Sequence, residues 1–178
     1  MKYLIVPGLY NSGPGHWQTN WERKYPNSFH RVEQTNWNEP IKQDWVNKLH
    51  TQITAAENEP LILVAHSLGC ITVVHWAMHY CAAHVKAIML VAPADVEKST
   101  KKELRDFAPI PLQSLPVNSV VVASSNDPYA AIDRTKIWAA AWGSTHINAG
   151  AVGHINSDSA LGNWEEGLRL LQSLHTKA

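Results

Sequence analysis

One stretch limits the folds open to this chain more than any other: Leu61-Ile-Leu-Val-Ala-His-Ser-Leu-Gly-Cys-Ile-Thr. Residues 61–65 form an apolar, strand-length run. They lead directly into Ala65-His66-Ser67-Leu68-Gly69, and a helical pattern starts at once. A strand handed to a helix without a loop needs a tight turn, with its middle residue in a strained backbone conformation. The residues two before and two after Ser67 then approach closely and must be small, as Ala65 and Gly69 are. The pattern is G-x-S-x-G with alanine at the first small position. Such a turn exposes the Ser67 hydroxyl at the carboxyl end of a central strand, where open α/β sheets take their ligands. It also leaves the Leu68 N–H free at a helix N-terminus to stabilise an oxyanion. His66 should point away from the nucleophile, in a structural role.

The rest of the chain repeats this alternation. Tyr3–Val6, Ala87–Ala92 and Val120–Ala123 read as strands, with Ser28–Glu33 and Thr145–Ala149 as weaker candidates. Helical patterns cover His16–Lys24, Ile41–Ala56, Ser67–Ala83, Ala130–Trp142 and Leu161–His175. The order predicts a three-layer α/β fold, a mostly parallel sheet of about six strands with helices on both faces. With 178 residues and no internal repeat or linker, a single domain over 1–178 is expected. The connection Pro93–Asn118 breaks the rhythm with four prolines and a charged stretch from Glu97 to Asp106. A lid and a surface helix followed by a rigid return both fit it.

A serine hydroxyl is a weak nucleophile until a positioned base takes its proton, and the base needs an acid to fix its tautomer. In this kind of fold the chain order is Ser, then Asp or Glu, then His. Asp127 lies in Ser-Ser-Asn-Asp-Pro-Tyr directly after a strand. His154 lies in the Gly-flanked loop Gly150-Ala-Val-Gly-His-Ile-Asn, before the last helix. Both loops fall on the Ser67 rim of the sheet. Asp95, after the preceding strand, is the competing acid. Asp133 suits the first turn of a helix, and His146 reads as a structural histidine within a strand.

The second oxyanion donor should come from the loop after the first strand, Pro7-Gly8-Leu9-Tyr10-Asn11-Ser12-Gly13-Pro14-Gly15-His16-Trp17. The Leu9 N–H is the first choice and that of Tyr10 the second. This loop lacks the G-K-[ST] ending of a phosphate loop and the G-x-G-x-x-G spacing of a dinucleotide site. Tyr10, Trp17 and Trp37 lie near carboxyl-end loops and are candidates to line an acyl pocket. The remaining tryptophans read as core.

Composition removes other classes. Lys plus Arg and Asp plus Glu each total 15, so the formal charge is zero and no field attracts phosphate backbones. Nucleic acid is not expected as a partner. No run approaches a signal h-region or a membrane span, so a cytoplasmic protein is expected, with no membrane association. Cys70 and Cys81 are too few for a disulfide framework and are expected as buried thiols in a helix. His75 and His79 have a metal-compatible spacing, but only His84 or Cys81 offers a nearby third ligand, so neither metal nor cofactor is expected.

Across nearly its whole length the chain resembles the small serine hydrolases grouped with retinoblastoma-binding protein 9, the bacterial branch in particular. The likeness rests on Pro7-Gly8 with Gly13-Pro-Gly-His-Trp-Gln, on Val64-Ala-His-Ser-Leu-Gly-Cys and on Phe107-Ala-Pro-Ile-Pro-Leu. It continues through Val122-Ala-Ser-Ser-Asn-Asp-Pro-Tyr, Ala141-Trp-Gly, Gly153-His-Ile-Asn and Trp164-Glu-Glu-Gly. The resemblance implies an α/β-hydrolase without a large cap domain, a triad on Ser67, Asp127 and His154, and hydrolysis of an ester or related acyl bond. Ala65 departs from the glycine of many hydrolases but stays small. The expected substrate is a small acyl compound. The alternative is a hydrolase-fold interaction module with vestigial activity.

Overall fold

The computed structural model describes residues 1–56 and 59–174. Six strands, β1 (Lys2–Val6), β2 (Phe29–Arg31), β3 (Leu61–His66), β4 (Val85–Val91), β5 (Asn118–Ala123) and β6 (Thr145–Asn148), form one sheet in the order β2-β1-β3-β4-β5-β6. Every pairing is parallel, so each connection crosses over. Between them run α1 (Trp17–Lys24), α2 (Lys42–Ala55), α3 (Leu68–His79) and α4 (Ile132–Trp142), and α5 (Glu165–Ser173) follows β6.

The period-2 alternation of the strands divides the core into two layers. Leu4 and Val6 of β1, and Leu61, Leu63 and Ala65 of β3, pack under α2, α3 and α4 against Trp45, Leu49, Val73, Trp138 and Trp142. Tyr3, Ile5, Ile62 and Val64 face the opposite layer, where α1 and α5 bring Trp17, Trp21, Trp164, Leu168 and Leu171. Residues 68–76 of α3 are all buried, because this helix lies centrally between α2 and the sheet. The three-layer expectation therefore holds, with a sheet that is wholly parallel.

Several boundaries differ from the sequence pattern. α3 stops at His79, where Tyr80 turns extended (ψ 149°) and stacks its ring on His50 at 3.8 Å. Cys81 is thereby left outside the helix and exposed, so only Cys70 is a buried thiol. α5 starts at Glu165 rather than Leu161, since Gly162 (φ 55°) and Trp164 (φ 39°) hold the preceding turn left-handed. The predicted end of that helix at His175 lies outside the described residues. Among the described residues no helix is long and apolar enough to cross a membrane.

The Pro93–Asn118 connection folds as a braced wall rather than a continuous helix. Only Lys102–Phe107 is helical, as a 3-10 turn, with Leu104, Phe107, Ile110 and Leu115 buried in the core. Trp142 Nε1–H donates to Pro111 O at 2.7 Å, and His75 Nε2 lies 2.8 Å from Phe107 O. Those ties hold the second half of the segment against α3 and α4.

Candidate active site

The chain order reverses between β1 and β3, and both strands end at the same crevice. Ser67 sits between β3 and α3 at φ 54° and ψ −121°, the strained turn that its sequence demands. Gly69 allows the turn: a Cβ there would lie 2.2 Å from Val6 O and 2.6 Å from Pro7 O. Gly8 does the same from the other side, since a Cβ on it would come within 2.8 Å of Ser67 Cβ. The two glycines thus let the end of β1 press against the Ser67 turn.

Three side chains remote in sequence meet here. His154 Nε2 lies 2.9 Å from Ser67 Oγ, and His154 Nδ1 lies 2.8 and 2.9 Å from the two Asp127 carboxylate oxygens. The carboxylate can only accept, so Nδ1 carries the proton and Nε2 presents its lone pair to the serine hydroxyl. The His154 and Asp127 side chains are 8% and 3% exposed, which limits competition from bulk water for this bond.

The loops carrying Asp127 and His154 are tied to each other. Asn126 Oδ1 accepts the Gly153 N–H at 2.7 Å, and Ser124 Oγ accepts the Val152 N–H at 3.0 Å. Asp127 Oδ1 also accepts the Tyr129 N–H at 2.8 Å, while the Tyr129 ring meets the His154 ring edge-on at 4.6 Å. Two further bonds anchor the backbone at His154 and Ile155. His66 Nε2 lies 2.9 Å from His154 O, and Trp17 Nε1–H donates to Ile155 O at 2.8 Å. The His66 carbonyl partner requires Nε2 to be the protonated nitrogen. Burial pushes the His66 imidazole well below its ordinary pKa, with the neighbouring His16 and His154 acting in the same direction.

The loop after β1 is held as firmly. Arg31 donates from Nη1 to Asn11 Oδ1 at 2.6 Å and to Ser12 O at 3.0 Å, and Gln18 Nε2 donates to Val64 O at 3.0 Å. The Tyr10 N–H is taken by Trp37 O at 2.9 Å, whereas among the described residues no acceptor takes the N–H of Leu9 or of Leu68. That difference favours Leu9 over Tyr10 as the second oxyanion donor.

Beside Ser67 opens a cleft of about 620 Å³, lined among others by Leu9, Tyr10, Leu68, Leu104 and Tyr129. Trp17 and Trp37 are not on its wall, which corrects the expectation for both. Trp17 is 1% exposed and packs on Trp21 and Trp164 in the α1 and α5 layer. Trp37 packs edge-on against Trp45, on the core of the other face.

The competitors have other partners. Asp95 accepts from Arg134 Nε at 2.9 Å, and exposed Asp133 pairs with Lys136 at 2.9 Å. His146 Nε2 lies 3.0 Å from Thr135 Oγ1, and His84 Nε2 lies 3.0 Å from Ile53 O. The His66, Trp17, Asn126 and Tyr129 contacts were not foreseen in these roles. Their only sequence signal is adjacency to Ser67, Asp127 or the β1 loop.

A doubly wound parallel sheet with a strained serine turn at its reversal point defines an α/β-hydrolase. The chain belongs to the serine hydrolase family, whose profile matches residues 3–173. It is similar to a solved YdeN-like hydrolase from Pectobacterium atrosepticum, at 32% identity over 97% of this chain and 89% of that one, with a TM-score of 0.86. The ydeN product of Bacillus subtilis shares the fold at 20% identity and a TM-score of 0.80, over 99% of this chain and all (100%) of that one. Mouse alpha/beta hydrolase domain-containing protein 10 does so at 16% identity and a TM-score of 0.73, over 99% of this chain and 90% of that one. Among curated proteins none matches this chain.

Proposed function

We propose that this serine hydrolase cleaves small carboxylic esters through an acyl-enzyme, with Ser67 as nucleophile, His154 as base and Asp127 as the acid that orients it. The observation that carries the reading is the 2.9 Å approach of His154 Nε2 to Ser67 Oγ, with Nδ1 held by Asp127. The Ser67 hydroxyl gives its proton to His154 Nε2 as Oγ bonds to the acyl carbon. The carbonyl oxygen gains a negative charge and accepts hydrogen bonds donated by the N–H groups of Leu68 and Leu9. His154 then passes its proton to the departing alcohol oxygen, leaving an acyl-serine. A water attacks that carbonyl, gives a proton to His154, and the proton returns to Ser67 Oγ as the acid leaves.

A cleft of about 620 Å³, with no cap domain among the described residues, suits a small substrate. A fluorophosphonate probe tests the chemistry. The expected result is one covalent adduct at Ser67, absent in Ser67→Ala. A folded wild-type protein that takes no label overturns the proposal and leaves the interaction-module alternative. Rates on 4-nitrophenyl esters of rising acyl length test the size reading, which a strong preference for long chains would overturn.

A further inference from the structure

The cleft beside Ser67 carries charge of one sign on one wall. Lys98 and Lys101, from the connection after β4, both line it, and neither enters an ion pair among the described residues. Asp95 is the one carboxylate on the lining among the described residues. Its charge is already answered, because Arg134 donates to it from Nε at 2.9 Å and from Nη2 at 3.3 Å. Asp95 Oδ1 also accepts the Lys98 N–H at 3.2 Å, which sets the turn that presents this lysine. Lys101 is steadied by Tyr10: its ammonium donates to the phenol oxygen at 3.3 Å and lies 5.0 Å from the ring centroid. Tyr10 adjoins Leu9, so this cation stands beside the oxyanion loop. The chain as a whole is neutral, which makes the surplus local to the cleft. Ser99 and Thr100, between the lysines, add hydroxyl donors on the same lining.

We infer that the site takes esters that carry a carboxylate, which Lys98 and Lys101 receive while the ester carbonyl sits at Ser67. The inference rests on the hydrolase reading above. A carboxylate can reach this wall on the acyl chain or on the alcohol, and paired substrates separate the two sources. On the acyl side, monomethyl glutarate is compared with methyl pentanoate. On the alcohol side, 3-acetoxypropanoate is compared with propyl acetate. Hydrolysis is followed by pH-stat titration at low ionic strength, for wild type and for the double variant Lys98→Met/Lys101→Met.

The expected result is a preference of about tenfold in kcat/KM for the carboxylate member of at least one pair. That ratio should shrink as salt is raised and fall to near one in the double variant. Hydrolysis of both members of each pair at equal kcat/KM overturns the anion subsite and leaves the esterase reading standing. A preference that survives in the double variant overturns the assignment to these lysines. Hydrolysis of none of the four esters, by a protein that also takes no fluorophosphonate, overturns the underlying reading and this inference with it.

Discussion

The side chain of His66 holds the backbone of His154: its Nε2–H donates to the His154 carbonyl oxygen at 2.9 Å. The residue just before the proposed nucleophile therefore positions the proposed base, across 88 residues of sequence. Both rings are buried, and their centroids lie 4.9 Å apart. His66→Phe keeps a ring in that space but leaves the His154 carbonyl without its donor. We expect kcat to fall roughly ten- to a hundredfold, by more than any change in KM for a small ester, since the base drifts while the rest of the cleft lining stays. His66→Gln, which restores an N–H donor, should recover part of the loss. Steady-state kinetics on both variants check this, and an unaltered kcat in His66→Phe would remove the positioning role.

Asp127→Asn tests the acid. The carboxylate accepts from His154 Nδ1 and from the Tyr129 N–H, so an amide can keep the loop geometry while offering the imidazole the wrong partner. The expected outcome is a fall in kcat of about a thousandfold or more, with a melting temperature close to wild type. Asp95→Asn leaves the partner of His154 in place, so its loss of kcat should be at least about a hundredfold smaller. Equal losses in the two variants would reopen the choice of acid.

Much of this was legible because the physical demands were local. The Ser67 turn needs a strand, a strained residue and small neighbours within a dozen positions, and all of them are contiguous in the sequence. The alternation of apolar runs likewise set the sheet and its layers, since a strand buried on both faces reads as continuously hydrophobic. What stayed hidden depends on where distant segments touch. Trp17 sits in the loop-to-helix region next to the site, yet its indole N–H is needed by Ile155 O, 138 residues away, and this turns the ring into the core. The connection after β4 carried a charged helical pattern, but its buried Phe107 and Ile110 and its tie to Trp142 decide its shape.

Glycine substitutions separate the close approach from mere loop flexibility. A Cβ on Gly69 would meet backbone oxygens of β1 at 2.2 and 2.6 Å, atoms that cannot swing aside. Gly69→Ala should therefore cost about 3 kcal/mol, lowering the melting temperature by roughly 6–12 °C in thermal unfolding. Gly13→Ala, where nothing lies within 4 Å of the added carbon, is the control and should melt within a degree or two of wild type. Equal melting temperatures for the two variants would contradict the packing of β1 against the Ser67 turn.

Acid sensitivity follows from the buried histidines. His16 caps α1 by accepting the Gln18 N–H on Nδ1 at 3.2 Å, which requires a neutral ring. Burial, aided by the nearby Arg31 guanidinium and the His154 ring, lowers its pKa from 6.5 to about 3. His66 is displaced in the same direction, again by burial first. The unfolded chain binds these protons near pH 6.5, while the folded chain refuses them until far lower pH. Between those values the unfolded state holds more protons, so stability is lost as pH falls below about 6.5. Each fully excluded proton contributes about 1.4 kcal/mol per pH unit to that slope. Urea unfolding at steps from pH 7.5 to pH 5 should show the decline, above the range where most carboxylates titrate. His16→Asn keeps a capping oxygen but removes the titrating ring, so it should flatten the slope whatever it does to stability at pH 7.5. A variant whose stability falls with acid as steeply as the wild type would mean that His16 accepts its proton in the folded state.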